Sequence, residues 1–423
     1  MLFPLLHSSL GFLFIGLLNF SILPQGMAAK FYICLPQDLV EDILSRLAVK
    51  SLIRFKCASK AWYALITTRQ FAKSHFQRAS KNPNCMKFLV LTSDRVLSLG
   101  YEALVSENHD VEPIDYVDSV LMRGGKSTSI VNFMASCNGL VFISVTLSHE
   151  VTDTSVYLVW NPSTRSYKNI PISSKFDSSS RYRSYSFGFG YDYSTDDYKI
   201  LRCYHHDFLR LEFEIFSLKT LTWRKINSKV QTREHRNGTY FNGAVYWRIQ
   251  PMSLKPSIIY FDLAEEIFHE VAWPEPVSYF TISGYVDVFS ELEILGEHLC
   301  LSVCTGEFLD FGDLRVQLWV MNESWTWTRL AAIPYWNSCL RPIFLSNNNS
   351  EVLMLDTGVD GDGVELIRYN LKENTTTTIF KPKPMGVNLW FTERISVATY
   401  VESLYFPDCN DGPDVADQVL ARS

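Results

Sequence analysis

A chain of 423 residues with 47% hydrophobic content and a net charge of −6 has room for more than one domain and ample material for a core. A pI near 5.9 argues against a broad nucleic-acid face. Nine cysteines at irregular spacing read as buried thiols of a reducing compartment and not as a disulfide framework.

Residues 1–26 carry no Lys, Arg, Asp or Glu and are apolar enough to resemble a signal or anchor. They lack the positive n-region of a signal peptide, and Gly, Ser, Asn and Pro interrupt the run. The expectation is an over-extended start or dispensable leader before Met27, with a membrane anchor as the alternative.

Residues 35–71 predict three short amphipathic helices. Pro36 suits a first helical position, and Asp38 and Glu41 favour the positive end of the helix dipole. Leu39, Val40, Ile43, Leu44 and Leu47 spread over an arc of roughly 140°, wider than a minimal core-facing stripe. Val49, Leu52 and Ile53 repeat at i, i+3, i+4, with Phe55 extending the patch; Ser59 is a candidate N-cap, and Trp62, Leu65 and Ile66 repeat the spacing. A helical unit of roughly 40 residues buries little of its surface. Part of the wide first stripe is therefore expected to stay exposed until a partner protein covers it.

The run resembles an F-box. The matching elements are Leu35-Pro36, Asp38, Ile43-Leu44, Lys50-Ser51-Leu52, Arg54-Phe55-Lys56 and Lys60-Ala61-Trp62-Tyr63-Ala64-Leu65-Ile66, with Ala48 standing where plant members usually place proline. The resemblance places the F-box at residues 31–78. It implies docking on a Skp-type adaptor, and through it on cullin and RING subunits, by Leu35, Pro36, Leu39, Ile43 and Leu44, with Val49 and Leu52 in support. Arg46, Lys50, Arg54, Lys56, Lys60, Arg69, Lys73 and Arg78, set against Asp38, Glu41 and Asp42, make the module basic. Such a module steers towards an acidic partner, as Skp-type adaptors are. A helical cap packed on its own downstream domain is the alternative reading.

Residues 79–130 read as a junction carrying the first strands of the next domain, in MKFLVLT and from Val96 to Leu104. From 131 to 404, a unit of apolar strand, polar turn and second strand with an aromatic recurs from near residues 157, 213, 257, 316 and 365, a period of roughly 45 to 60. The Asn138-Gly139 and Asn242-Gly243 dipeptides suit tight type I′ turns. Such spacing predicts a small all-α unit followed by an all-β domain of β-propeller type, with a β-sandwich as the competitor. Residues 405–423 read as a polar tail.

This half resembles the plant F-box-associated, kelch-like domain. The resemblance rests on Ser136-Cys137-Asn138-Gly139-Leu140, Trp160-Asn161-Pro162-Ser163-Thr164, Phe187-Gly188-Phe189-Gly190-Tyr191-Asp192, Asp197-Tyr198-Lys199 and Tyr260-Phe261-Asp262-Leu263. In order and composition these look like the S-locus F-box group and its relatives.

Motifs that invite an enzymatic reading do not complete. Gly188-Phe189-Gly190 lacks the third glycine and helix of a dinucleotide loop and reads as two tight backbone approaches within a strand. Val120 stands where a phosphate loop ending in Gly125-Lys126-Ser127 needs glycine. Asp356, Asp360 and Asp362 break the order of a calcium loop and suit a solvated hairpin. Cys300 and Cys304 lack a second zinc pair and suit buried strand thiols, and His205-His206 suits a strand end. No nucleophile elbow or Cys-His grouping is present, and no cofactor or metal is expected.

The reading is a non-catalytic, cytoplasmic substrate receptor of an SCF-type (Skp-cullin-F-box) E3 ubiquitin ligase, with the nucleus also open to it. Neither nucleic acid nor membrane is an expected partner, unless residues 1–26 anchor the chain. A protein substrate would meet loops of the β-domain, Ser173–Arg183, Gln231–Asn237 and Cys304–Asp313 being the candidate stretches. One special case is a pollen S-locus factor that recognises pistil ribonucleases in self-incompatibility. A reading of another class is a secreted sugar-binding kelch-type propeller, glycosylated at Asn19, Asn237, Asn322, Asn348 and Asn374.

Overall fold

The computed structural model describes residues 36–82, 85–91, 96–100, 129–148, 153–171, 185–205, 210–232, 236–250, 256–275, 281–282, 285–286, 290–305, 315–334, 340–346, 349–356, 365–380 and 396–405. The leader and Leu35 lie outside them, as does the tail from residue 406; Tyr405, read as the first tail residue, is instead buried.

Four helices come first: α1 Gln37–Ser45, α2 Val49–Lys56, α3 Lys60–Ile66 and α4 Arg69–Ala79. The first three follow the predicted apolar spacing. Pro36 and Ser59 stand at N-cap positions, though neither side chain makes a capping bond. The fourth helix escaped the sequence reading. Its buried positions are Phe71, Ala72, His75 and Ala79, a stripe diluted by alanine and a histidine. Thr68 is its true cap, Oγ1 accepting from the Phe71 N–H at 3.2 Å. Ala48, the N-cap of α2 at φ −60° and ψ 147°, offers no such acceptor. Ala48→Ser should therefore raise the denaturant stability of the module by about 1 kcal/mol.

Among the described residues every long element beyond the helices is a strand, and the strands form a six-bladed propeller. Blade one is the sheet of β1 Met86–Leu91, β2 Val96–Gly100 and β25 Ser396–Val401, in the order β2-β1-β25. The stretch read as a junction thus supplies part of the ring itself. Five four-stranded sheets complete it. Blade two is β3 Ser129–Cys137, β4 Leu140–Ser148, β5 Asp153–Asn161 and β6 Ser166–Ile170. Blade three is β7 Tyr185–Asp192, β8 Asp197–His205, β9 Leu211–Ser217 and β10 Thr222–Ile226. Blade four is β11 Thr239–Phe241, β12 Ala244–Ile249, β13 Ser257–Asp262 and β14 Phe268–Val271. A two-stranded ribbon, β15 Thr281–Ile282 with β16 Tyr285–Val286, follows it. Blade five is β17 Ser290–Leu295, β18 His298–Thr305, β19 Arg315–Met321 and β20 Trp327–Pro334. Blade six is β21 Leu340–Leu345, β22 Glu351–Asp356, β23 Glu365–Asn370 and β24 Thr375–Phe380.

The innermost strands touch in the order β25, β3, β7, β11, β17, β21 and back to β25, so the ring closes on itself. Closure comes from β25 pairing antiparallel with β1, Phe88 opposite Thr399. A sandwich would face two sheets across one core. Here each of the six apolar clusters straddles one seam between adjacent blades. Phe213, Trp247 and Phe261 fill one seam; Leu299, Trp319 and Tyr246 fill the next. Inner strands are covered on both faces, which is why β12 is buried along its whole length while β10 on the rim is mostly exposed.

The aromatic in the recurring sequence unit has a definite duty. Tyr167, Trp223, Phe268 and Trp327 each sit at the start of an outer strand and lean on the preceding blade. Trp223 and Trp327 also donate their indole N–H to Pro171 O and Ala272 O, both at 2.7 Å. The turns between third and fourth strands repeat as well. Arg165, Leu221, Glu266 and Asn374, all at positive φ, return their N–H to the carbonyls of Asn161, Ser217, Asp262 and Asn370. The side chains of those four first residues accept from the turn's own N–H groups, as Asx and Ser turns do.

Candidate functional site

The helical module divides its apolar residues between two tasks. Leu44, Val49 and Leu52 are buried in the core that α1–α4 share with blades two and three, and Val40, Leu47, Phe55 and Leu65 pack against it. Leu39 is 46% exposed, Ile53 37% and Tyr63 56%. Pro36 is exposed and Ile43 half-buried. Of the residues expected to meet an adaptor, Pro36, Leu39 and Ile43 therefore face outward, whereas Leu44, Val49 and Leu52 reach a partner only through the shape they impose. Ile53 and Tyr63 join the outward set. Their signal was in the sequence, inside the second apolar repeat and the Lys-x-Trp-x-x-Leu-Ile element, but spacing does not tell an inward from an outward member.

Charge follows the same division. Arg46 and Arg78 both bind Asp42, at 3.0 and 2.9 Å, and hold its carboxyl below the usual carboxylate range. Lys50, Arg54, Lys60 and Lys73 are exposed, so the module presents a basic surface. His75 is buried 2.9 Å from the Leu47 carbonyl, which joins α4 to the end of α1. Desolvation lowers its pKa, against the pull of the Leu47 carbonyl. A depressed histidine pKa means the unfolded chain binds the extra proton first. The module should lose stability as pH falls below about 6.5, a slope that unfolding titrations should find flattened in His75→Asn.

The module also packs on its own propeller, as the helical-cap alternative supposed, while its outward set stays uncovered. Phe76 of α4 lies 5.7 Å from the Tyr405 ring, and Arg69 pairs with Asp196 at 3.0 Å. Both contacts fall on the rim holding the tight turns between first and second and between third and fourth strands. The connections after second and fourth strands leave from the opposite rim. Of the three loop stretches expected to meet a substrate, residues 173–183, 233–235 and 306–313 lie outside the described residues, while Thr232 is fully buried and bonded to Gln250 and so cannot meet one. Their flanking strand ends, Ile170 and Tyr185, Ile226 and Thr239, Thr305 and Arg315, all stand on that far rim.

Charged groups on the innermost strands gather towards the same rim. Arg236 pairs with Glu291, and Glu293 on β17 pairs with Arg341 on β21 at 2.7 Å. Arg341 also donates to the Val397 carbonyl at 2.7 Å, so the chain of contacts crosses from blade four to blade one. Burial pushes Glu293 up to about 7 against the pull of Arg341, and Glu291 adds to the rise.

The Gly188-Phe189-Gly190 run is resolved as two close approaches. A Cβ on Gly188 would lie 2.5 Å from Val245 Cγ1, and one on Gly190 2.5 Å from Tyr240 Cδ2. Beside it, burial opposes ionisation of Asp192, but hydrogen bonds from Lys199, Thr195 and Ser194 outweigh it and hold the carboxyl well below its usual range. Lys199 reaches across the seam to the Leu263 carbonyl at 2.9 Å and to Glu266. The Tyr-Asp…Asp-Tyr-Lys landmark is thus a structural lock between blades three and four.

Cys300 is buried in β18 and Cys304 half-buried, with burial raising both thiols. His205 ends β8, and His206 lies outside the described residues. Asp356 corrects the hairpin reading: it is buried at the end of β22, because that strand lies inside blade six, while Asp360 and Asp362 lie outside the described residues. The Gly125-Lys126-Ser127 run also lies outside them. Two of the sequon asparagines use their amides within the protein, Asn322 Nδ2 bonding Thr326 Oγ1 at 2.6 Å and Asn237 Nδ2 meeting Met134 Sδ at 3.4 Å. Among the described residues no group of three or more His, Cys, Asp or Glu is placed to hold a metal, and no helix is long and apolar enough to cross a membrane.

Comparison with known proteins agrees with both halves. Residues 33–74 match the F-box domain, and residues 87–405 match the F-box associated beta propeller domain. F-box/kelch-repeat protein At3g23880 of Arabidopsis thaliana is 31% identical over 357 residues, covering 77% of this chain and 86% of its own. F-box protein CPR1 of the same plant is 28% identical over 379 residues, covering 82% of this chain and 84% of its own. Among solved structures, TolB from Acinetobacter baumannii aligns over 74% of this chain and 66% of its own, with a TM-score of 0.44 and 10% identity.

Proposed function

This chain belongs to the F-box proteins that carry an F-box-associated β-propeller domain, and from that premise we propose that it is the substrate-recognition subunit of an SCF-type E3 ubiquitin ligase. The observation that carries the reading is the separation of two surfaces. An apolar, basic-flanked helical face is left uncovered at one rim, while the longer connections of a rigid ring leave from the other. A Skp-type adaptor would seal the first through Pro36, Leu39 and Ile43, with Ile53 and Tyr63 beside them, and a protein target would meet the second. The mechanism is proximity. Tethering a target near a charged E2 raises its effective concentration and asks no chemistry of this chain.

The test is reconstitution with the full-length chain and purified Skp-type adaptor, cullin and RING subunits. The expected result is a complex that co-elutes and that ubiquitinates proteins recovered on the propeller. Failure of the chain to enter that complex would remove the ligase assignment and leave a propeller with a helical cap.

A further inference from the structure

The ring is complete when β25 ends at Val401, yet the residues that follow are among the most enclosed in the protein. Ser403 is fully buried, and Leu404 and Tyr405 are nearly so. Their backbone is held on both sides. The Glu402 N–H donates to the Cys85 carbonyl at 3.1 Å, ahead of β1. Asn161, itself fully buried at the end of β5, donates its carboxamide to Ser403 O at 3.0 Å and to Tyr405 O at 2.6 Å. Its other amide atom caps its own turn through the Ser163 N–H at 2.8 Å. The side chain of Tyr405 then meets Phe76 of α4 on one side and Tyr198 of blade three, at 6.1 Å, on another.

From this juxtaposition we propose that residues 402–405, gripped by Asn161, form a clasp that sets the angle of the helical module on the propeller, with Tyr405 as its positioning residue. A single contact would leave the module free to swing about it. Beside the apolar core that the module shares with blades two and three, two directional contacts separated along α4 remove that freedom. The first is Phe76 on Tyr405. The second is Arg69, which donates to Asp196 O at 2.8 Å and pairs with its carboxylate, itself also bonded by the Tyr191 hydroxyl. Seven residues of helix set the two anchors about 10 Å apart, enough leverage to resist rotation. The consequence for ubiquitin transfer rests on the receptor reading, because effective concentration depends on a fixed span between adaptor and target; the clasp itself does not.

The experiment places bioorthogonal spin labels at the exposed positions Asp38 on α1 and Glu323 on the blade-five turn of the full-length chain, and reads their distance distribution. The parent should give one narrow peak. Arg69→Ala with Tyr405→Ala should broaden it by about twofold or more, since domains without a firm interface move relative to one another. Tyr405→Phe, which keeps the ring, should keep the parent's peak. Thermal unfolding followed in parallel reports whether the propeller persists. Should Tyr405→Ala unfold the ring, Arg69→Ala with Phe76→Ala repeats the cut from the module's side. A peak as narrow as the parent's in a folded double variant overturns the clasp. Capture of a Skp-type adaptor is scored separately: a parent that fails to capture it sinks the receptor reading, while the distances still decide the clasp.

Discussion

Leu39→Asp should abolish capture of a Skp-type adaptor while leaving the unfolding transition of the chain where it was; Leu52→Ala should do the reverse. Both residues belong to the predicted apolar pattern of the module, but Leu39 is 46% exposed and Leu52 not at all. A leucine sealed by a partner contributes about 1.5–3 kcal/mol of burial. Aspartate forfeits that and leaves an unpaired carboxylate in a drying interface. At about 1.4 kcal/mol per tenfold, a hundredfold loss of affinity or more is expected. The helix itself is spared, because an acid in the first turn of α1 suits the dipole, and exposed substitutions of this kind stay within about 0.5 kcal/mol. Leu52→Ala instead opens a cavity in a small core and should cost about 2–5 kcal/mol of stability. Titration calorimetry with the adaptor and urea unfolding of each variant make the comparison. Undiminished binding by Leu39→Asp would show that the outward face is not the docking face.

Gly139→Ala should be far more damaging than Gly243→Ala, although both glycines occupy the same position of the same turn type. Asn138-Gly139 and Asn242-Gly243 have φ of 50° and 78°, and 46° and 81°, as type I′ geometry requires. Either alanine meets the left-handed penalty of about 1 kcal/mol. At Gly243 that is all, since the nearest atom to the added Cβ is Tyr193 Cδ2 at 3.9 Å. At Gly139 the Cβ would stand 2.4 Å from the Val401 carbonyl oxygen and 2.6 Å from Ser403 Cβ. Those atoms belong to the closing strand and the fully buried residue behind it, and backbone cannot rotate aside as a long side chain does. Displacing them adds about 1–3 kcal/mol, at the point where the ring is shut. Urea midpoints of the two variants, read side by side, isolate the clash from the backbone strain. Equal losses would mean that the closing segment yields freely there.

Much of this was legible in the chain because it is local. The period of apolar residues drew α1 to α3, the Asn-Gly pairs drew their turns, and the recurring strand-turn-strand unit drew the third and fourth strands of five blades. The aromatic of that unit was visible too, though not that it leans on the blade before. Gly188 and Gly190 were readable as close approaches, but the side chains approaching them come from the next blade. The fourth helix was missed because alanine and His75 dilute its stripe.

By itself, then, the sequence determined the first three helices, the recurring strand pairs and their turns, and that the helical module carries more apolar surface than it can hide. The tertiary structure alone decided the number of blades, which leucines of one stripe turn inward, and the clasp between Asn161 and residues 242 and 244 positions away. The reason is physical. Periodicity records which face of an element prefers to leave water, whereas what covers that face depends on chain closure over distances that no local pattern encodes.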